Sequence, residues 1–262
     1  MWLLSQKIRV KTIIDNTTVK GLVLTVLAIS LLFFNCSNSL TENPRTSFND
    51  ESVESDTAED FAKLPGDLVF YSDTSGETSV YLLADVAVDE DFVNQIGDGW
   101  ETQAHRMVEE ANAFLSEVDL NIRVASIQQW HSDGTQDSMA GHLSSAEEQI
   151  QRAPGHLLLA ITCQDTGKTD GLAQKSMSRI IVRFYHECPK CNSVLIAHEV
   201  GHLLGAGHHE NEEECTEEGC IMDHRGYAHT TWCQHHKQLI RENIAERLVA
   251  QGPQDQEAAE VK

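Results

Sequence analysis

The run His198-Glu199-Val200-Gly201-His202-Leu203-Leu204-Gly205-Ala206-Gly207-His208 restricts this chain more than any other part of its 262 residues. Residues four apart on an α-helix stand on the same face, so His198 and His202 can aim two imidazoles at one point only if the segment is helical. That is the arrangement two ligands of a single tetrahedral zinc require. Ser193 is suited to cap a helix over 194–204, and Gly205 to end it in a left-handed conformation. The chain then turns back, and His208 supplies a third ligand. A fourth position is left for water, whose pKa zinc lowers to about 7. Glu199 adjoins that position and is the expected general base, taking a proton from the water and passing it to a leaving amine.

Such a helix needs a domain to bury it, and the hydropathy pattern supplies one. Strands are expected over 67–72 and 79–88, where β-branched and aromatic residues lie between turn signals. From 100 to 115 the apolar residues Trp100, Ala104, Met107, Val108, Ala111, Phe114 and Leu115 recur at helical spacing, which predicts an amphipathic helix covering a sheet. Further strands are expected over 120–130 and 156–162, and along the apolar run 180–185. Leu172-Ala173-Gln174 reads as a short edge strand after the turn-rich stretch 167–171. A last helix over 231–250 would bury Leu239, Ile240, Ile244, Leu248 and Val249, and 251–262 is a polar tail. No internal repeat is present.

The N-terminal part reads differently. Lys7, Arg9, Lys11 and Lys20 precede an apolar run over 21–34 that is short for a membrane span, so 1–36 is expected to be an export segment. Its end, Leu32-Phe33-Phe34-Asn35-Cys36, resembles a loose bacterial lipobox, with Phe34 and Asn35 where small residues are usual. Lipidation of Cys36, ordinary cleavage nearby and an uncleaved anchor are three readings of this segment. All three place the rest of the chain outside the cytoplasm, as a cell-surface or periplasm-facing lipoprotein or a secreted protein. Residues 37–63 are polar and acidic and read as a disordered tether, leaving 64–250 as one catalytic domain.

Seven cysteines minus Cys36 leave Cys163, Cys188, Cys191, Cys215, Cys220 and Cys233, an even set that in an exported chain reads as up to three disulfides. The net charge of −22, from 41 acidic and 19 basic residues, repels polyanions and argues against nucleic acid as a partner.

The extended histidine motif resembles that of the metzincins, a group that also carries a methionine turn below the metal; Met222 in Cys220-Ile221-Met222-Asp223 matches it. Within the metzincins the chain is most similar to the reprolysin branch, the catalytic domains of ADAM and snake-venom metalloproteinases. The similar stretches are Tyr81-Leu82-Leu83-Ala84-Asp85, Leu120-Asn121-Ile122-Arg123-Val124-Ala125 ending near Trp130, Gly171-Leu172-Ala173, and Cys220-Ile221-Met222. This resemblance implies an α/β metzincin fold with a mostly parallel twisted sheet, an active-site helix, a Met-turn and a C-terminal helix. It further implies that an antiparallel edge strand at Gly171, Leu172 and Ala173 pairs with an extended peptide substrate.

Some residues depart from the reprolysin pattern. His209 follows the third ligand where aspartate is usual. The pair Cys188 and Cys191 just before the active-site helix is unusual, and similar to the extra cysteines of archaemetzincins; it reads as a disulfide, as disulfide partners or as part of a second metal site. Cys215 is expected to bridge to Cys220, and Cys233 to Cys188 or Cys163. His224 and Tyr227 read as pocket wall, His235 and His236 as surface residues, and the glutamates over 210–218 as a solvated loop in which calcium has no positive support. Only 37–63 separates the export segment from the domain, with no cysteine to mask a metal, so an enzyme active once folded and metallated is expected.

The expected function is that of a zinc endopeptidase with one Zn2+ per chain, acting as a monomer on extracellular peptides or proteins. The alternative is a metzincin scaffold with little turnover, serving as an adhesin or interaction protein. Glu199 argues against it, because a structural zinc needs neither a base nor an open position.

Overall fold

The structure, a computed structural model, describes residues 68–72, 80–132, 134, 136–165, 169–208, 219–223 and 229–252. Among these the strands are β1 (Phe70–Ser72), β2 (Val80–Val88), β3 (Leu120–Gln129), β4 (Leu157–Thr162), β5 (Gly171–Gln174) and β6 (Arg179–Arg183). The α-helices are α1 (Glu90–Ile96), α2 (Trp100–Leu115), α3 (Met139–Gln149), α4 (Pro189–Leu203) and α5 (Gln234–Gln251).

The strand β2 organises the sheet. β3 pairs with it in parallel along its whole length. On the other side β1 runs antiparallel against Val80–Leu82, and β4 runs parallel against Ala84–Val88. β6 continues in parallel beyond β4, and β5 closes that side antiparallel to β6, with Gly171 opposite Val182 and Ala173 opposite Ile180. The fold is therefore α/β with a mostly parallel sheet and an antiparallel edge strand at 171–174, as expected; the short β1 adds a second antiparallel pairing.

Helices cover both faces, which is why β4 shows no polar alternation and is buried at every position. Leu157, Leu159 and Ile161 join the larger core with Met107, Val108 and Ala111 of α2 and Leu195, Ile196 and Val200 of α4. Leu158 and Ala160 point the other way, to Met139, Leu143 and Ala146 of α3.

Asp89, fully buried where β2 ends, ties three elements together. Its Oδ1 accepts from the Phe92 amide at 2.7 Å and caps α1. Its Oδ2 accepts from the Thr162 hydroxyl at 2.6 Å and the Cys163 amide at 3.0 Å at the end of β4. Burial pushes this carboxyl above its ordinary range, and the hydrogen bonds from Thr162, Phe92 and Cys163 oppose that shift.

Helix α2 spans the predicted 100–115, and strands β3, β4 and β6 differ from the expected bounds by one or two residues. Several expectations are corrected. The active-site helix begins at Pro189, five residues before 194, because proline is well placed in a first turn; Ser193 lies inside the helix, its hydroxyl donating to Glu110 Oε2 at 3.0 Å. Helices α1 and α3 were not expected at all. The last helix starts at Gln234 and buries Ile240 and Ile244, whereas Val249 is 83% exposed. His236 is fully buried instead of lying on the surface. Cys188 and Cys191 form a disulfide with each other, so Cys233 pairs with neither Cys188 nor Cys163, and Cys220 is a thiol that does not bridge to Cys215. The export segment, Cys36, the tether, His209, Cys215, the acidic loop, His224 and Tyr227 lie outside the described residues.

Removing the Asp89 carboxylate leaves α1 uncapped and two buried donors short of an acceptor. Asp89→Ala is expected to lower unfolding free energy by about 2–4 kcal/mol, read as a lower urea midpoint with an unchanged slope.

Candidate active site

Three imidazoles converge at the C-terminal end of α4. His198 and His202 lie one turn apart on that helix, and Gly205 at φ 92 turns the chain so that His208 returns beside them. The Nε2 atoms of His202 and His198 are 3.0 Å apart, and those of His202 and His208 are 3.2 Å apart. His198 Nδ1 lies 2.8 Å from the carbonyl oxygen of Ile221, and His202 Nδ1 lies 2.9 Å from that of Ala206. A carbonyl oxygen only accepts, so in both rings Nδ1 holds the proton and Nε2 keeps its lone pair. Lone pairs so close repel one another unless a cation lies between them. The edges expected of a tetrahedral zinc with three imidazole nitrogens are about 3.3 Å, so the residues fit a metal held at this point. Desolvation in the cleft, with His198 and His208 alongside, holds His202 well below the usual imidazole range. The ring is thereby kept in its neutral, ligating form.

Glu199 is 96% buried and faces the edge strand. A Cβ added to Gly171 would stand 2.2 Å from Glu199 Oε1 and 2.7 Å from its Cδ. Gly171 shows no positive φ, so its backbone would accept any side chain, and it is the carboxylate that requires the glycine. The first residue of β5 and the carboxylate are thus in direct contact, with Leu172 and Ala173 continuing the strand outward.

Below the helix the space is set by Gly201. A Cβ there would meet Met222 Sδ at 2.7 Å and Trp232 Cη2 at 2.9 Å. Glycine costs a helix about 1 kcal/mol relative to alanine, and here the missing side chain lets the turn at Met222 pass directly beneath the histidines. Met222 is fully buried, as a methionine turn under a metal site requires. The turn is held by Ile221, whose amide donates to Thr231 O at 2.8 Å while its carbonyl accepts from His198.

The structure therefore brings together His198, His202, His208, Glu199, Met222 and Gly171. Sequence reasoning missed the carbonyls of Ile221 and Ala206, the indole of Trp232 and the packing role of Gly201. Backbone acceptors leave no trace in side-chain identity. A glycine inside the helical stretch 194–204 was the one visible signal of close approach.

The helix is anchored at its other end. Asn192 accepts from the Tyr185 amide at 2.7 Å through Oδ1 and donates to the Tyr185 carbonyl at 3.0 Å through Nδ2. The Cys188–Cys191 disulfide encloses the first turn.

Among solved structures the chain is similar to an archaemetzincin from Methanopyrus kandleri, at 16% identity and a TM-score of 0.47, with 63% of this chain and 96% of that chain covered. It is similar to metalloproteinase-II from Bacteroides fragilis, also at 16% identity and a TM-score of 0.47, covering 69% of this chain and 57% of that one. A chaperone–substrate complex is similar at 11% identity and a TM-score of 0.48, with 68% of this chain and 36% of that chain covered. A family model described as Reprolysin_5, Metallo-peptidase family M12, matches residues 77–232. Matched over more than half of its length, and with a histidine trio able to hold a metal inside the matched region, the chain belongs to the Reprolysin_5 metallo-peptidases of family M12.

Proposed function

We propose that the chain is an exported zinc endopeptidase of the metzincin type that cleaves extracellular peptides or proteins, with Glu199 as general base. The observation that carries this reading is the junction of three converging Nε2 atoms with a buried carboxylate lying against an edge strand. His198, His202 and His208 would hold the zinc. Zinc in that position supplies Lewis acidity, polarising a carbonyl and making water acidic enough to lose a proton near neutral pH.

The remaining steps belong to the chain's own residues. The carbonyls of Ile221 and Ala206 orient two of the imidazoles and keep their proton on Nδ1. The Glu199 carboxylate takes a proton from the attacking water and returns it to the departing amine. Strand β5 offers backbone groups to an extended peptide beside that carboxylate, and backbone pairing of this sort accepts many sequences. The Cys188–Cys191 disulfide supports placement in an oxidising compartment, with Cys36 as the point of lipid attachment in the lipoprotein reading. A monomer is proposed.

The test is zinc content together with hydrolysis of a mixed peptide library, for the purified chain and its Glu199→Gln variant. The parent is expected to cut and to stop cutting under a chelator. The variant should keep its zinc and lose about 10²–10⁴-fold in rate. Zinc binding by both proteins without cleavage by either would sink the peptidase reading and favour a scaffold.

Gly171 offers a separate check on the placement of the base. Gly171→Val should push the carboxylate aside and lower kcat/KM by about 10²-fold, with zinc content unchanged by metal analysis. Full activity in this variant would mean that the contact between β5 and Glu199 has no part in catalysis.

A further inference from the structure

A second set of soft donors meets in the core, outside the histidine trio. Cys220 precedes the turn at Met222, Cys233 is the N-cap of α5, and His236 lies in the first turn of that helix. Their exposures are 1%, 3% and 0%. Cys220 Sγ is 3.2 Å from His236 Nδ1, and Cys233 Sγ is 3.1 Å from the same nitrogen. A ring nitrogen carries either one proton or one lone pair, so it can satisfy only one of two sulfurs at a time. A cation among the three atoms satisfies all of them at once. Two backbone amides are also aimed at the sulfurs, that of Cys233 at Cys220 Sγ (3.3 Å) and that of His236 at Cys233 Sγ (3.4 Å). N–H groups directed at sulfur lower the cost of the thiolate, the form in which cysteine binds metal, but the neighbouring Cys233 sulfur and burial push the Cys220 thiol up on balance, so an entering cation is what draws off its proton.

We propose that Cys220, Cys233 and His236 form a second metal site, selective for a thiolate-preferring divalent ion such as zinc, that fastens the methionine turn to the start of α5. Thiolate sulfur and imidazole nitrogen are donors that zinc takes, and three of them leave a fourth position to a further ligand; burial this deep suits a structural role better than a catalytic one. Separations near 3 Å are slightly short of the roughly 3.5 Å edge expected between sulfur and nitrogen around zinc, so loading requires only a small expansion. Each thiol gives up its proton to solvent as the ion enters, and the ion's two charges balance the two thiolates.

The two sites are linked through one residue. Cys220 is followed by Ile221, whose carbonyl accepts from His198 Nδ1 at 2.8 Å. Filling the sulfur site would therefore fix the carbonyl that orients a histidine of the other site, while the donors of the two remain separate.

The experiment uses the whole purified chain, loaded with cobalt(II) as the probe. The expected result is about two cobalt ions per chain and a near-ultraviolet thiolate-to-cobalt charge-transfer band. His198→Ala/His202→Ala should keep one ion and the whole band, while Cys220→Ser should lose the band. Should a variant fail to fold, alkylation of the unsubstituted protein, mapped by mass spectrometry, serves in its place. Cys220 and Cys233 are then expected to be protected when metal is bound and labelled after chelation and denaturation. Absence of the band, its persistence in Cys220→Ser, or recovery of Cys220 and Cys233 joined as a disulfide would each overturn the proposal. None of these outcomes depends on peptide cleavage, so they separate this site from the catalytic reading.

Discussion

Helix α4 can lie on the turn at Met222 and the ring of Trp232 only because residue 201 has no side chain. That close approach fixes the height of the turn, and the turn in turn places the Ile221 carbonyl within 2.8 Å of His198 Nδ1. Trp232 is held from the other side, its indole nitrogen donating to the Phe114 carbonyl at 2.9 Å near the end of α2. Helix, turn and indole therefore form one packed unit, in which backbone carbonyls orient two of the three histidines. Protein interiors packed at this density move as bodies and do not yield residue by residue, which is what a metal centre needs from its surroundings.

The part of the fold that the sequence made legible is the part governed by periodicity. Met107, Val108, Ala111 and Leu115 repeat at helical spacing and α2 lies where they predict. The run 157–162 is continuously apolar and is a strand buried on both faces. Helices α1 and α3 were hidden for different reasons. The first is seven residues long and buries only Phe92, so its chief signal was the cap at Asp89. The second spreads Met139, Leu143 and Ala146 among glycine and serine residues, which dilutes its apolar stripe. The start of α4 was misplaced because Ser193 has the chemistry of a cap but is needed inside the helix, while Cys188, a poor cap by type, is fixed there by its disulfide.

Within the site, the motif specified which side chains meet, because three histidines at that spacing have few other ways to converge. It carried no information on what stands behind them. The cysteines show the same limit from another direction: even number suggested up to three bridges, yet the described residues hold one short-range pair, Cys188–Cys191, and a buried group of Cys220 and Cys233 beside His236. The spacing Cys233-Gln234-His235-His236 was visible in the chain, and the first turn of a helix brings residues three apart onto one side, so that signal was available.

The contact between Gly171 and Glu199 has a mechanical consequence. With no side chain interposed, the carboxylate rests directly on the main chain of the outer strand, so the gap between them is governed by van der Waals radii instead of by a rotamer. A displacement of that strand toward the helix has nowhere to be absorbed except in the carboxylate itself. Strand and carboxylate therefore behave as a gauge with a fixed stop. Any molecule that gripped the outer edge of this strand would be registered against the Glu199 carboxylate by its backbone, whatever side chains it carries.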